Sequence, residues 1–436
     1  MPNKKSHPWC LHPFNNLTIE AEGHFRLCCA TSHSFGQIVP DGSIKDVEDF
    51  WYNSKEMSDV RKDMLDHNLD GDANLRNICS GCIKQEEQGL HSKRTRYYEQ
   101  MSKNRPREVM SSVANPCIIN SDLALSRTCN LQCTTCTSYY SSKWFSADRK
   151  REELGIIDMF APEVKSTIGK NALLSKDTIV QLANINSKNF SSAVFKGGEP
   201  FLDHNFKFYH QNVRNKNRST ISVVTNGSIY DEELLNLLME YRSTWLTMSI
   251  DGIAPIHCWI RRSTPDEYEN MMKIGRYIKN NQNVKVDLNS VISAYNIFTI
   301  DKLADWMVDG DHPFVDVQER TFHAIPNRPF ESCLFFLRTH KNEILDKVYY
   351  AANKFSSSST EYKHLISAAK YLETAYNDLS KNQRTELLKI KYFLINYDQI
   401  LVPERGDLSK HDTLFGEALL EMRKYFEKNK HIIKEK

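Results

Sequence analysis

The chain has 436 residues, of which 40% are apolar and 26% charged, and a formal net charge of +2 at pH 7. That length supports a large core and two or three domains, and the composition is that of a soluble globular protein. So balanced a charge argues against a nucleic-acid or membrane-surface role, and no apolar run approaches the ~18 residues a membrane span needs.

In chain order, the start Met1-Pro2-Asn3-Lys4-Lys5 has no apolar segment behind it and so does not read as a signal peptide. Eleven cysteines, an odd number clustered at short spacings, fit metal ligation in a reducing, cytoplasmic compartment better than a disulfide framework. The first of them, Cys10, precedes two short strand-like runs, Asn16–Glu20 and His24–Cys29, around a turn at Glu22-Gly23. A helical stretch from Ile44 to Leu65 follows, then Cys79-Ser80-Gly81-Cys82. The C-x2-C spacing lets two thiolates from one turn reach a single metal or cluster. Cys10, Cys28, Cys79 and Cys82 make a complete set of four ligands, with Cys29 as the alternative to Cys28, for either a zinc ion or an iron–sulfur cluster.

Residues Arg96 to Pro116 are polar, carry two prolines and read as a connector. Cys117 just beyond them is expected to be a buried free thiol. From Ile118 to about Ala324, strands alternate with helices. The strands are Leu123–Ser126, Ala193–Lys196, Ile221–Thr225, Leu246–Ile250, Val284–Val291 and Phe314–Gln318. The helices are Lys176–Ile185, Phe206–Val213, Glu232–Tyr241, Pro265–Ile278 and Ile300–Met307, with capping signals at Ser175 and Thr264. Such alternation argues for a parallel sheet with helices outside it, a doubly wound sheet being the other option. The long segment Ser138–Leu174 is expected to fold over the site or meet a partner.

Chemistry in such a fold gathers at the carboxyl ends of the strands. The first strand ends in Cys129, Cys133 and Cys136, a C-x3-C-x2-C loop. A [4Fe–4S] cluster takes four thiolates, so three leave one iron open, as a catalytic metal site requires. Further on come Gly197-Gly198-Glu199-Pro200, Asn226-Gly227 and Ser249-Ile250-Asp251-Gly252. The glycines allow close backbone approach to a ligand, and Glu199 can accept from an ammonium. Asp251 fits equally well as a cap for the helix after it. For proton transfer, Asp287, Glu319 and His257 each qualify and none is singled out.

The last ~110 residues, from about Pro326, read as helices at Glu343–Phe355, Glu361–Leu379 and Glu386–Asn396, with no cysteine after Cys333. Their aromatics Tyr349, Tyr350, Phe355, Tyr362, Tyr371 and Tyr376 are expected to form a packing face.

The cysteine loop and the Gly-Gly-Glu-Pro turn together resemble the radical S-adenosylmethionine (SAM) superfamily. The resemblance implies a partial (β/α)6 TIM-type barrel, in which the unique iron of a [4Fe–4S] cluster is chelated by SAM. Reductive cleavage then gives methionine and a 5′-deoxyadenosyl radical that abstracts a substrate hydrogen. It also implies that Gly197, Gly198, Glu199 and Pro200 hold the SAM amino group, and that Asn226, Ser249 and Arg261 contact its ribose or carboxylate. Ser249-Ile250-Asp251-Gly252 with His257 and Arg261 resembles a stretch common in peptide-modifying members, Cys258 standing where they carry Asp. Thr135 replaces the aromatic residue usual before the last cysteine. The pattern C-x12-G-x4-C, Asp46–Met57, Arg61 and C-x2-C resembles the SPASM/twitch module, which binds an auxiliary [4Fe–4S] cluster and usually follows the barrel.

The chain thus reads as an α/β protein with four parts: a twitch-like module over residues 1–95, a connector over 96–117, a barrel over 118–325 and a helical region over 326–436. The function expected is that of a radical SAM enzyme with two [4Fe–4S] clusters, modifying a peptide or protein and served by a reducing donor such as a flavodoxin or ferredoxin. The rivals are a radical SAM enzyme acting on a nucleic acid or small metabolite, and a non-enzymatic protein with zinc at both cysteine sets.

Overall fold

The computed structural model describes residues 9–31, 33–38, 43–87, 92–159, 162–169, 174–189, 192–310, 312–314, 317–324 and 332–433. The reading of Met1–Lys5 lies outside the described residues. The chain divides into two compact units. One holds Met1–Thr128, Asn171–Val224 and Asp231–Trp245; the other holds Cys129–Lys170, Thr225–Tyr230 and Leu246–Lys436.

In the first unit the strands are Asn16–Ile19 (β1), His24–Arg26 (β2), Gly36–Gln37 (β3), Asn120–Ala124 (β4), Ser192–Lys196 (β5) and Thr220–Thr225 (β6), in the sheet order β3-β2-β1-β4-β5-β6. The expected hairpin is β1–β2, antiparallel, with Gly23 at a left-handed φ of 74° in its turn. That conformation suits glycine, and an added Cβ would meet the Ile38 carbonyl oxygen at 2.6 Å. β1 also lies parallel to β4, Ile19 opposite Leu123, so the N-terminal cysteine-bearing segment extends the parallel sheet. β4 pairs with β5, and β5 with β6, both in parallel.

Period-two alternation assigns the two faces. Leu123, Phe195, Ile221 and Val223 are buried on one face, where Phe195 meets Phe206, Tyr209 and His210 of the helix His204–Asn212 at ring distances of 4.9–5.0 Å. The other face is polar at its carboxyl end. There the Lys196 ammonium lies 3.1 Å from Glu20 and 3.0 Å from Asp122.

Ser54 splits the helical stretch expected over Ile44–Leu65 into Val47–Asn53 and Lys55–Asp66, its hydroxyl accepting from the Met57 amide at 3.3 Å. The stretch expected as a connector instead carries the helices Lys93–Asn104 and Pro106–Ala114, with Pro106 in the first turn where its missing N–H costs nothing. Cys117 forms no disulfide, as expected, but it is half-buried rather than buried and hydrogen-bonds to Tyr52.

Ser243–Ser249 (β7) ends in the second unit, which also contains Val284–Ile292 (β8) and Glu319–Ala324 (β9). β8 and β9 are parallel, Val291 opposite His323. The strand expected at Phe314–Gln318 falls later, on β9; residues 315 and 316 lie outside the described residues. Thr264 and Glu267 form a reciprocal capping box, at 3.1 and 2.8 Å, that starts the helix Pro265–Ile278. Within Ser138–Leu174 the chain forms a helix at Phe145–Glu153.

The C-terminal helices are Leu337–Asn353, Thr360–Ser380, Gln383–Asn396 and Thr413–Asn429. Their aromatic packing differs from the expected face. Phe393 stacks on Tyr397 at 6.1 Å and Tyr397 meets Phe415 at 5.5 Å, all three buried, whereas Tyr350 of the expected stripe is 47% exposed. Among the described residues no helix is long and apolar enough to cross a membrane.

Candidate functional site

β4 ends at Ala124, and the chain leaves it through Leu125 and Ser126, both buried. β5 ends two residues before Gly198, and the turn that follows closes on this exit. The Gly198 amide donates to the Ser126 carbonyl at 3.1 Å and the Glu199 amide to the Thr128 carbonyl at 2.8 Å. A Cβ on Gly198 would stand 2.1 Å from the Thr128 oxygen, and Gly197 adopts a φ of 120°. Both glycines are therefore required by the backbone itself. Glu199 is 1% exposed and accepts from the Phe201 amide at 3.0 Å, while Pro200 opens the short turn Pro200–Leu202. Just upstream, Arg127 pairs with Glu22 at 2.6 Å. Burial raises the Glu22 pKa, but hydrogen bonds from His24 and Arg127 outweigh it and hold the carboxyl down at about 2.

The cysteine loop itself belongs to the second unit. The Asn226 side-chain amide lies 4.0 Å from Cys129 Sγ, and Asn226 Oδ1 accepts from the Ser228 amide at 2.8 Å. Asn130 ties the loop to Ser228 and Glu267, both at 2.8 Å. Arg261 Nη1 donates to Cys133 Sγ at 3.7 Å, and its Nη2 lies 2.8 Å from the buried Asp251 carboxylate. Asp251 does not cap the next helix; its Oδ1 accepts from the Val291 amide at 2.9 Å, which joins the end of β7 to β8. Ser249 is buried at the end of β7.

Four contacts that the sequence did not suggest fix the loop backbone. Ser141 Oγ donates to the Leu131 carbonyl at 2.9 Å, and Trp144 Nε1 to that of Cys133 at 3.0 Å. The Thr134 amide donates to the Ile260 carbonyl at 2.8 Å. Arg405, from the C-terminal region, reaches the Gln132 carbonyl.

Of the groups considered for proton transfer, Asp287 is pushed up to about 6 by burial and by Glu319, its opposite number on β9. Burial, and to a lesser degree Arg261, pushes His257 well below the usual histidine range; its ring meets Tyr268 edge-on at 5.0 Å.

In the first unit, Cys10, Cys28, Cys79 and Cys82 line one small cavity, together with His12 and Arg94. Burial, and the neighbouring thiols after it, pushes Cys28 and Cys79 up to about 12 and raises Cys10 well above the usual thiol range. Such thiols are protonated at neutral pH, so a metal would have to displace their protons on binding. Cys29 does not line this cavity: its thiol is engaged with Asp122. Among the described residues no three His, Cys, Asp or Glu side chains close on one point as they would around a single ion.

The donor sets nonetheless suit iron–sulfur ligation. Among the described residues no cysteine is tied up in a disulfide, and amide and guanidinium donors face the sulfurs of Cys129 and Cys133, where they would stabilise thiolate charge.

Residues 123–307 match the family model of the radical SAM superfamily. Among solved structures, the chain is similar to native anSMEcpe with bound AdoMet, at 18% identity and a TM-score of 0.32, covering 47% of this chain and 51% of that one. For anSMEcpe with AdoMet and the Kp18Cys peptide the values are 18% and 0.35, with coverage of 53% and 60%. For Streptococcus suis SuiB bound to its precursor peptide SuiA they are 13% and 0.36, with coverage of 62% and 59%. The chain thus spans between about half and three fifths of the length of these structures. No curated protein matches it.

Proposed function

We propose that this chain, whose residues 123–307 match the radical SAM family model, cleaves SAM reductively and uses the resulting radical to take hydrogen from a peptide or protein. The observation that carries the reading is the Cys129, Cys133, Cys136 loop, which lies within the matched segment and directly follows a parallel strand. With a cluster bound, one electron splits SAM into methionine and a 5′-deoxyadenosyl radical, which becomes 5′-deoxyadenosine on taking the substrate hydrogen.

The residues of the chain hold and orient. Cys129, Cys133 and Cys136 supply three thiolates, and the amide of Asn226 and the guanidinium of Arg261 donate to two of those sulfurs. Gly197 and Gly198 keep the turn free of side chains, so a ligand amino group can approach main-chain carbonyls and Glu199. Ser249 is left to meet the ribose or carboxylate of SAM. Arg261 is already committed to Asp251 and Cys133, which supports a role in holding the loop as well as in contacting SAM.

Cys10, Cys28, Cys79 and Cys82 hold a second [4Fe–4S] cluster. Their common cavity supports this assignment, and the engagement of Cys29 with Asp122 favours Cys28 as the ligand. Four thiolates leave that cluster no open iron, so its role is electron transfer. The peptide or protein substrate follows from the resemblance of this module to those of peptide-modifying enzymes, and a flavodoxin or ferredoxin is the electron donor.

Anaerobic reconstitution tests the assignment: two clusters require about eight irons per chain. Replacing Cys129, Cys133 and Cys136 together by Ala should leave about four. A colourless protein holding zinc in both variant and parent would eliminate the reading.

A further inference from the structure

The loop between Cys129 and Cys133 is held by a residue more than 270 positions away in sequence. Arg405 closes the one-turn helix Val402–Arg405 and is part-buried, with its Nε shielded from solvent. Nη1 donates to the carbonyls of Trp259 and Ile260 at 2.9 Å each, and Nη2 donates to the carbonyl of Gln132. The guanidinium lies 5.7 and 5.9 Å from the ring centres of Trp259 and Trp144, and Trp144 in turn binds the Cys133 carbonyl. The adjoining Glu404 pairs with Arg262, which donates to the Gln132 side chain.

Among the described residues, every hydrogen bond of Arg405 goes to a main-chain carbonyl. Carbonyl dipoles orient a guanidinium but do not cancel its unit charge, and in a partly desolvated setting an uncancelled charge acts over several ångströms. Adding an electron to an iron–sulfur cluster adds negative charge, so its reduction potential responds to nearby charge, to hydrogen bonds and to exposure. A fixed cation behind the loop favours the reduced form.

We infer that Arg405 is a positioning residue for the Cys129–Cys136 loop, setting the loop backbone and making the cluster held there easier to reduce. This rests on the assignment of that loop to the SAM-binding cluster. The helical C-terminal region thereby acquires a function in the chemistry: it delivers a part-buried cation to the cluster loop.

The test is a redox titration of the reconstituted full-length protein, followed by electron paramagnetic resonance. The signal scored is the one that changes when SAM is added. Arg405→Gln removes the charge but keeps an amide donor, whereas Arg405→Lys keeps the charge but loses the fork. Arg423→Gln breaks the exposed Asp398 pair in the same helical region and controls for general loosening.

Arg405→Gln should lower the equilibrium constant for reduction at least tenfold, a shift of about 59 mV to more negative potential. Arg405→Lys and Arg423→Gln should stay within twofold of the parent. Selective loss of the barrel cluster from a folded Arg405→Gln protein, with retention in the other two, supports the same role. An Arg405→Gln potential within twofold of the parent overturns it, as does an equal shift or cluster loss in Arg405→Lys or Arg423→Gln. Absence of any SAM-responsive signal in the parent would instead overturn the cluster assignment beneath it.

Discussion

At the scale of single residues, the Gly-Gly-Glu-Pro turn gives the sharpest expectation. Ala at position 198 would drive its Cβ to 2.1 Å from the Thr128 oxygen, a backbone atom that cannot move without moving Cys129. Overpacking of this kind costs about 1–3 kcal/mol. Gly198→Ala should therefore lower the melting temperature by several degrees and weaken SAM binding, as equilibrium dialysis would show.

Asp287 makes a second prediction, in pH. Burial and the Glu319 carboxylate raise its folded-state pKa from the ordinary 3.8 to about 6. Its contribution is fully present below pH 3.8, where both states are protonated, and is lost as pH rises through about 6. Asp287→Asn should be more stable than the parent at pH 7.5 by about 1 kcal/mol, the small size reflecting solvent screening of a half-exposed group. The gap should close by about pH 4 in denaturant titrations; a gap independent of pH would contradict the assignment.

At the scale of elements, the N-terminal hairpin does more than carry thiols. Because β1 lies parallel to β4, it brings Glu20 beside Asp122 and Lys196 on the polar face of the sheet. Burial disfavours the Lys196 charge, but Asp122 and Glu20 outweigh it and raise the pKa. Removing the cation strands two carboxylates, and breaking a buried pair in this way costs about 3–5 kcal/mol. Lys196→Met should show a loss of that order in urea unfolding, and Lys196→Met/Asp122→Asn should recover part of it. A double variant as unstable as the sum of the two singles would show that these charges do not interact.

Much of this scale was legible in the sequence. The helix Pro265–Ile278 forms between the expected bounds because its capping box and apolar spacing are both local signals. The two helices Lys93–Asn104 and Pro106–Ala114 were missed because polar composition and a proline read as punctuation, although Pro106 is the first residue of a helix. The cysteine loop was legible in the spacing of its thiols. Arg405 carried no signal, since its partners are carbonyl groups brought near only by the folded chain.

For the molecule as a whole, the account divides labour between two sets of cysteines. Cys79→Ala or Cys82→Ala should lower the iron content towards about four per chain yet leave SAM cleavage intact, while turnover of the peptide fails. The account's central claim is that three thiolates leave one iron free to take SAM. The most direct test is to incubate the reduced, reconstituted protein with SAM and assay 5′-deoxyadenosine by chromatography. The parent and the Cys79→Ala protein should both release it, and Cys129→Ala, Cys133→Ala and Cys136→Ala should not. A fully reconstituted parent that forms none, or a Cys133→Ala protein that forms as much as the parent, would contradict the account.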